Sequence, residues 1–206
     1  MRSDVFPVGL KLEGKLCLVV GTGREADRRT EALLAAGARV QVVSERPTEE
    51  LERHRAKGDV ALAQRAFEDG DLDGVWLAVY TDMDVAVATR IGAVAEARRV
   101  FFCAVDRPAQ SSYSHAAIVK AGPVSVAIST DGRAPLLARK LRDELARVFD
   151  EAHLAEFADE LSRLRDHTAQ EERRPVLEAA AKSVRFEGRL VLRNDEAGQD
   201  GWPKRS

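Results

Sequence analysis

The amino-acid sequence predicts an α/β protein that begins with an NAD-binding Rossmann domain built on a parallel sheet. The run Leu16–Val20 is short and wholly apolar, as is typical of a strand buried on both faces of a parallel sheet. A glycine-rich turn and a helical pattern follow it, and Arg39–Val43 is a second run rich in β-branched residues. Strand, turn, helix and strand in this order form a βαβ unit.

Strands and helices continue to alternate up to about residue 112. An exposed helix is predicted over 47–56 with Thr48 as its N-cap, and a long Ala/Val-rich helix over 84–98. Three further strands are predicted, over 60–64, 75–79 and 100–105. This alternation is typical of a doubly wound parallel sheet.

The pattern changes after residue 112. Two β-like segments, 113–120 and 124–129, are separated by only three residues, which favours an antiparallel hairpin. An amphipathic helix over 134–149 and a charged helical stretch to about residue 181 follow. We therefore expect four regions. They are the Rossmann domain (1–112), a hairpin-plus-helix region in a small α+β arrangement (113–150), a C-terminal helical domain (151–194) and a disordered tail (195–206).

Composition excludes several classes of protein. The chain has 206 residues and a net charge of −2, which argues against a nucleic-acid partner. No apolar run is long enough to cross a bilayer, and residues 1–12 lack the apolar core of a signal peptide. We therefore expect a cytoplasmic protein with no membrane partner.

The cysteines and histidines suggest neither a disulfide framework nor a metal site. Cys17 and Cys103 each lie inside an apolar run, which predicts that both are buried and reduced. His115, His153 and His167 are scattered along the chain, so no metal site is predicted from them.

The first functional motif is the turn after the first strand, a G-x-G-x-x-A form of the dinucleotide fingerprint. The first glycine permits the tight turn, the second lets the backbone approach a pyrophosphate, and the alanine allows close helix packing. The helix N-terminus would supply N–H groups to the phosphates. The candidate cofactor-binding residues here are Gly21, Thr22, Gly23, Arg24, Glu25 and Ala26.

The end of the second strand is the expected position for recognition of the ribose. Glu45 lies about twenty residues beyond the glycines, where a carboxylate holds the ribose hydroxyls of NAD, and Ser44 precedes it. Arg46 follows at once and would instead suit a 2′-phosphate. NAD is the predicted cofactor, although Glu45 is equally well interpreted as a solvated loop charge.

Two further candidates follow the fourth and fifth strands. Thr81 is expected to contact the cofactor, whereas Asp82 is either a second contact or, as we favour, the N-cap of the next helix. Asp106 follows a fully apolar strand and would project at the crevice edge, where a carboxylate can act as a general base. Its alternative role is that of a turn residue before Pro108.

The last motif is a small-polar turn between a strand and a helix that begins with proline. Ser129 and Thr130 offer hydroxyl groups, and Arg133 and Arg139 offer positive charge, to a carboxylate-bearing substrate. Residues 107–149 carry seven basic and three acidic side chains, a local charge of +4. This excess would attract a polyanion, or it is simply a solvated helix face.

Together these motifs resemble the amino-terminal module of siroheme synthase, a family that includes stand-alone precorrin-2 dehydrogenases. The resemblance runs from Phe6-Pro7 to Phe149, and its most specific stretch is 126–139. It implies NAD-dependent oxidation of a tetrapyrrole, precorrin-2, to sirohydrochlorin, with Asp106 as the catalytic base and Thr130 near the substrate. It also implies a homodimer formed through 113–150, with the C-terminal helices covering the substrate.

The sequence departs from the family pattern at five positions, which are Thr22, Glu25, Tyr80, Asp131 and the place of a common Asn in the helix after Asp82, now Val87 or Ala88. Glu25 would put an anion near the phosphates, and Tyr80 would narrow the nicotinamide pocket. Two alternatives therefore stay open. One is a bifunctional dehydrogenase and sirohydrochlorin ferrochelatase, and the other is a diverged, non-catalytic module that senses nucleotides.

Overall fold

The computed structural model describes residues 6–187 and confirms the predicted fold class. The predicted tail over 195–206 lies outside the described residues. The chain forms, in order, β1 (Leu16–Val20), α1 (Gly23–Ala35), β2 (Arg39–Val43), α2 (Glu49–Lys57), β3 (Val60–Ala63), β4 (Leu77–Tyr80), α3 (Val85–Ala97), β5 (Phe101–Ala104), β6 (Ala117–Ala121), β7 (Val124–Ile128), α4 (Pro135–Glu151), α5 (Leu154–His167) and α6 (Arg173–Ala181). Two short 3-10 helices, Asp69–Leu72 and Pro108–Gln110, precede β4 and follow β5.

Five parallel strands form the main sheet in the order β3-β2-β1-β4-β5. Alternate residues of β1 point to opposite faces, because side chains alternate along a strand. Cys17 and Val19 belong to the apolar cluster that contains Ala26 of α1, whereas Leu18 belongs to the cluster that contains Ile91 of α3. Both faces are covered, which explains why the strands are almost wholly apolar.

Helix caps fix where the helices that surround the site begin. Thr48 accepts a hydrogen bond from the Leu51 N–H at 3.1 Å and caps α2, as predicted. Asp84 accepts from the N–H groups of Ala86 and Val87 at 2.8 and 3.2 Å and caps α3.

An ion pair between a buried carboxylate and an exposed guanidinium fixes the 3-10 helix that leads into β4. The Asp71 side chain is only 4% exposed and accepts two hydrogen bonds from the Arg65 guanidinium at 2.6 and 2.8 Å. It also accepts one from the Glu68 N–H at 2.8 Å. Burial acts to raise the pKa of Asp71, but these donors outweigh it and hold the pKa below its ordinary value.

The hairpin begins later than the sequence predicts. β6 starts at Ala117 instead of residue 113, because the preceding segment lies along the edge of β5. There the Ser112 N–H donates to the Phe102 carbonyl at 2.8 Å. β6 and β7 then pair as the predicted two-stranded ribbon.

The chain divides into two compact units. Among the described residues, the first comprises 6–119 together with 126–145 and contains the whole parallel sheet. The second comprises 120–125 and 146–187, including α5 and α6. In the second unit the tip of the hairpin packs on α5, since a Cβ at Gly122 would lie 3.2 Å from the Ala155 carbonyl oxygen.

The structure bears on the predictions for the cysteines and for membrane-spanning helices. Cys17 and Cys103 are free and buried, which confirms the prediction for both. Within residues 6–187, no helix combines the length and the apolar character needed to span a bilayer.

Candidate functional site: a crevice at the carboxyl edge of the sheet

Three neighbouring strands end at the same edge of the sheet and bring three of the predicted site residues together. The parallel register pairs Val20 of β1 with Tyr80 of β4, and Tyr80 with Ala104 of β5. Gly21, Thr81 and Asp106 follow these strands. Their loops are therefore adjacent, at the edge where doubly wound sheets bind ligands.

The glycine turn is shaped by the loop after β4. Gly21 has φ +132°, and a Cβ there would overlap Thr81 Oγ1 and lie 2.8 Å from Asp82 Oδ1. Gly23 has φ +75° but faces open space, with nothing within 4 Å of an added Cβ. The first glycine is thus required by close packing inside the protein, whereas the second leaves room for a ligand beside the backbone.

Asp82 anchors the glycine turn, and the favoured prediction that it caps α3 is wrong. Its Oδ1 accepts a hydrogen bond from the Thr22 N–H at 2.8 Å, across sixty positions of sequence. The N-cap of α3 is Asp84. The Thr81 N–H donates to the Val20 carbonyl at 2.9 Å, so the loop after β4 is bonded to the end of β1 by backbone and side chain.

The N-terminus of α1 lacks a side-chain cap. Thr22 occupies the N-cap position in an extended conformation, but its side chain accepts no hydrogen bond from the helix. Its hydroxyl instead donates to the Arg46 carbonyl oxygen. The N–H groups of the first turn are therefore not satisfied by the N-cap residue, which is the state in which a helix N-terminus binds an anion.

Glu25 is engaged by two neighbouring cations on its own helix. Arg28 and Arg29 hydrogen-bond its carboxylate at 2.7–3.0 Å. Partial burial acts to raise the pKa of Glu25, but the two guanidinium groups outweigh it and lower the pKa. Glu25 departs from the family pattern, but its negative charge is compensated by the two arginines within α1. Sequence reasoning missed both arginines, although their i+3 and i+4 spacing from Glu25 is a readable signal.

The predicted ribose residues lie at the end of β2. Ser44 is only 2% exposed, and its Oγ has no hydrogen-bond partner among the described residues. Glu45 and Arg46 are both exposed and lie within reach of solvent and ligand. An orphaned buried hydroxyl beside an exposed carboxylate fits a site that is completed by the hydroxyl groups of a ligand.

Asp106 is exposed and has a left-handed backbone conformation, with φ +58°. Its carboxylate is close enough to Arg28 of α1 to raise the pKa of that guanidinium, after the larger contribution of Glu25. Burial, with a smaller contribution from the Asp106 charge, raises the pKa of Cys103 beneath it. Asp106 thus lies close enough to α1 for its charge to act on that helix.

Two serines that sequence reasoning missed hold the loop behind Asp106. Ser111 Oγ accepts from the Ala104 N–H at 3.0 Å and donates to the Arg107 carbonyl at 2.8 Å. Ser112 Oγ accepts from the Phe102 N–H at 2.9 Å. No sequence signal distinguishes them from ordinary loop serines, because their partners are backbone groups of β5 and of the loop that follows it.

The turn between β7 and α4 is organised by its own side chains. Ser129 Oγ accepts from the Asp131 N–H and Thr130 Oγ1 from the Ala134 N–H, both at 3.2 Å. Asp131, at the position where the family pattern has glycine, has φ +51°. Arg133 and Arg139 are exposed. The hydrogen bonds described for the two hydroxyls are local, and none joins this turn to the glycine turn.

Tyr80 does not narrow the crevice, contrary to expectation. It is 3% exposed and belongs to the apolar cluster on the α3 face of the sheet. Burial, with a smaller contribution from the charge of Asp82, raises the pKa of its hydroxyl. This departure from the family pattern therefore changes the core on the α3 face.

Comparison with known proteins agrees with this geometry. A family model described as "Putative NAD(P)-binding" matches residues 8–117. The chain belongs to this NAD(P)-binding family. A second model, described as "Sirohaem biosynthesis protein central", matches residues 121–147. The two matches confirm the resemblance inferred from the motifs.

Individual relatives of the family lead to the same assignment. Siroheme synthase of Citrobacter koseri is 36% identical over 162 residues, which are 79% of this chain and 35% of that protein. Siroheme synthase 2 of Cronobacter sakazakii is 35% identical over 167 residues, which are 81% of this chain and 36% of that protein. The chain thus spans about a third of the length of these relatives.

A solved structure matches over most of both chains. It is described as "SirC, precorrin-2 dehydrogenase" and superposes with a TM-score of 0.73 at 25% identity. The match covers 85% of this chain and 88% of that one.

Proposed function

We propose that this chain oxidises precorrin-2 to sirohydrochlorin with NAD as the hydride acceptor. The observation that carries the proposal is the convergence of an uncapped helix N-terminus, a glycine turn open on one side and the Asp106 carboxylate at one sheet edge. The likeness to a precorrin-2 dehydrogenase supports the choice of substrate.

The residues present fit a dinucleotide. Gly23 leaves the space that a pyrophosphate needs, and Thr22, Arg24, Glu25 and Ala26 form the first turn, with Glu25 neutralised by its arginines. Glu45 and Ser44 would hold the ribose hydroxyls, which favours NAD over NADP, because a 2′-phosphate would meet the Glu45 carboxylate. When bound, the nicotinamide supplies the hydride acceptor.

Asp106 has the role of general base. Loss of a hydride from one carbon of the macrocycle and a proton from its neighbour forms one new double bond, and the Asp106 carboxylate takes that proton. Its exposure lets it reach a substrate too large to enter the core. Ser129, Thr130, Arg133 and Arg139 would bind the carboxylates of the tetrapyrrole.

The test is turnover of the full chain with precorrin-2 and NAD under anaerobic conditions, followed by NADH absorbance and the sirohydrochlorin spectrum. Asp106→Asn is the informative variant, since asparagine tolerates the left-handed backbone that alanine would strain. Loss of a general base lowers kcat by about 10²–10⁴-fold. NADH affinity should stay unchanged.

Asp73→Asn is the matched control. Asp73 is also an exposed aspartate, but it precedes β4 and so lies at the opposite edge of the sheet, paired with Arg98 at 2.9 Å. Its turnover should equal that of the parent. If Asp106→Asn retains full turnover, the assigned base is wrong; if the parent binds NADH without turnover, a nucleotide-sensing module is favoured.

A homodimer is part of the proposal. Ile118 of β6 and Leu136 and Leu137 of α4 are large apolar side chains that are 49%, 75% and 48% exposed. We infer that a second copy of the chain covers them. Light scattering should give the dimer mass for the parent and the monomer mass for Leu136→Glu.

A further inference from the structure

A second cluster of chemically active side chains lies between α1 and α2 and shares no residue with those assigned to the crevice. Glu31 of α1 and Glu50 and His54 of α2 each offer one ligand atom, and these three atoms lie within 4.8 Å of one another. Glu50 and His54 are four residues apart and therefore share one face of α2. Glu50 Oε1 and His54 Nε2 are 3.4 Å apart.

The imidazole of His54 is oriented by a carboxylate on its other side. His54 Nδ1 lies 2.9 Å from Asp59 Oδ2, and since a carboxylate only accepts, Nδ1 carries the proton of that hydrogen bond. In the neutral ring Nε2 then holds a lone pair. That atom is buried and has no hydrogen-bond partner among the described residues, and the side chain is 14% exposed.

For that neutral ring, a lone pair that faces a carboxylate at 3.4 Å is repulsive, and a cation held between the two atoms removes the repulsion. We propose that Glu31, Glu50 and His54 bind a divalent first-row transition ion such as Zn²⁺, with Asp59 as the residue that fixes the imidazole. An imidazole ligand favours such an ion over Mg²⁺ or Ca²⁺. The carboxylate–histidine–metal arrangement is the one that metal-binding histidines usually adopt.

The distances fit this ion. Bonds of about 2.0–2.2 Å in a tetrahedral site separate neighbouring ligand atoms by roughly 3.3–3.6 Å, which includes the Glu50–His54 distance. Glu31 is exposed, so rotation of its side chain can bring its oxygen nearer without moving α1. Water completes the coordination.

The charges facing the cluster are close to balanced. Glu31 and Glu50 line a groove of about 480 Å³ that holds four carboxylates and three guanidinium groups. Two of those guanidiniums are already paired, Arg28 with Glu25 and Arg53 with Glu50 Oε2. Arg53 therefore leaves Glu50 Oε1 to face His54. Sequence spacing predicts no such site, because Glu31 joins the other ligands only through the packing of α1 beside α2.

The test is calorimetric titration of the full chain, freed of metal and of any affinity tag, with Zn²⁺. One equivalent should bind, and His54→Gln and Glu50→Gln should each weaken the affinity at least 100-fold. Asp59→Asn should weaken it by about 10–100-fold, as is found for residues that orient a ligand. His167→Gln is the matched control, since His167 Nδ1 hydrogen-bonds the Arg163 carbonyl and no carboxylate, among the described residues, joins it in a metal-ligand group. The Zn²⁺ affinity of this variant should equal that of the parent.

Circular dichroism of each metal-free variant separates loss of a ligand from loss of the fold. An independent measurement uses Co²⁺, which should broaden the NMR signals of the His54 ring and leave those of His167 sharp. Absence of Zn²⁺ binding, or binding that survives His54→Gln, would overturn the proposal. Neither result bears on NADH binding or turnover, so this site and the proposed oxidation succeed or fail separately.

Discussion

Asp82 and Asp84 are two residues apart, yet the structure gives them different tasks. Asp82 bonds the Thr22 N–H of the glycine turn, whereas Asp84 caps α3. Asp82→Ala should therefore weaken the cofactor site, and Asp84→Ala should weaken only a helix. The pair is a matched comparison, because both variants remove one carboxylate from the same loop.

The expected magnitude follows from the hydrogen bond that is lost. Thr22 is partly buried, and its N–H donates to a charged acceptor at 2.8 Å. Such bonds contribute about 1.5–3 kcal/mol. A loss near 2 kcal/mol corresponds to a roughly 30-fold change in an equilibrium constant. It also lowers the melting temperature by roughly 4–8 °C in a domain of this size.

Asp82→Asn should show a smaller effect, since its side-chain oxygen still accepts the bond without charge, and neutral bonds contribute about 0.5–1.5 kcal/mol. Asp84→Ala removes a cap that contributes about 1 kcal/mol and should lower the melting temperature by a few degrees. Its NADH affinity should equal that of the parent.

The assay is fluorescence titration with NADH, combined with thermal unfolding of the same samples. The parent and Asp84→Ala should bind NADH equally tightly. Asp82→Asn should bind it more weakly, and Asp82→Ala most weakly. If Asp82→Ala binds NADH as tightly as the parent, the glycine turn does not depend on its side-chain anchor and the reasoning fails. Equal losses of NADH affinity in Asp82→Ala and Asp84→Ala would also refute this reasoning.

Three other predictions concern the glycine turn, the Asp71 ion pair and the two cysteines. Gly21→Ala should unfold at markedly lower urea concentration than the parent, because the added Cβ meets the loop after β4. Gly23→Ala should lose only about 1–2 kcal/mol of stability through backbone strain, but it should reduce NADH affinity. Asp71→Asn should destabilise the protein at neutral pH, because the pKa of Asp71 is lower in the folded protein than its ordinary value of 3.8. The difference in unfolding free energy between parent and variant should be present above pH 3.8. It should vanish as the pH falls through the pKa of Asp71 in the folded protein. Cys17, whose pKa burial raises to about 11, and Cys103 should not react with a thiol reagent at pH 8 until denaturant is added; prompt labelling of the native protein would contradict their burial.

Features that depend on near neighbours were predictable from the sequence. The apolar run of β1, the glycine turn and the start of α1 follow one another within a few residues, and each has its own compositional signal. Thr48 was predictable as a cap for the same reason, since its partner, the Leu51 N–H, is three positions away.

Features that depend on how strands align were not predictable. Helix-cap preference allows either Asp82 or Asp84 to begin α3, and only the pairing of β1 with β4 brings Asp82 to Thr22. Tyr80 was misassigned for a related reason. The register of a strand decides which face of the sheet its last side chain points to. The Tyr80 side chain points into the core beneath α3.

The position of Asp106 follows from how the protein closes the open edge of its sheet. β5 is the last strand, and an uncovered edge would expose the backbone groups of Phe102 and Ala104. Ser111 and Ser112 bond those groups, which brings the chain back along β5 after a loop of only a few residues. So short a return requires a sharp reversal at the end of the strand, and Asp106 provides it with its left-handed backbone. A turn residue and a general base were competing interpretations of this aspartate, but the geometry joins them, because the reversal exposes its carboxylate at the crevice.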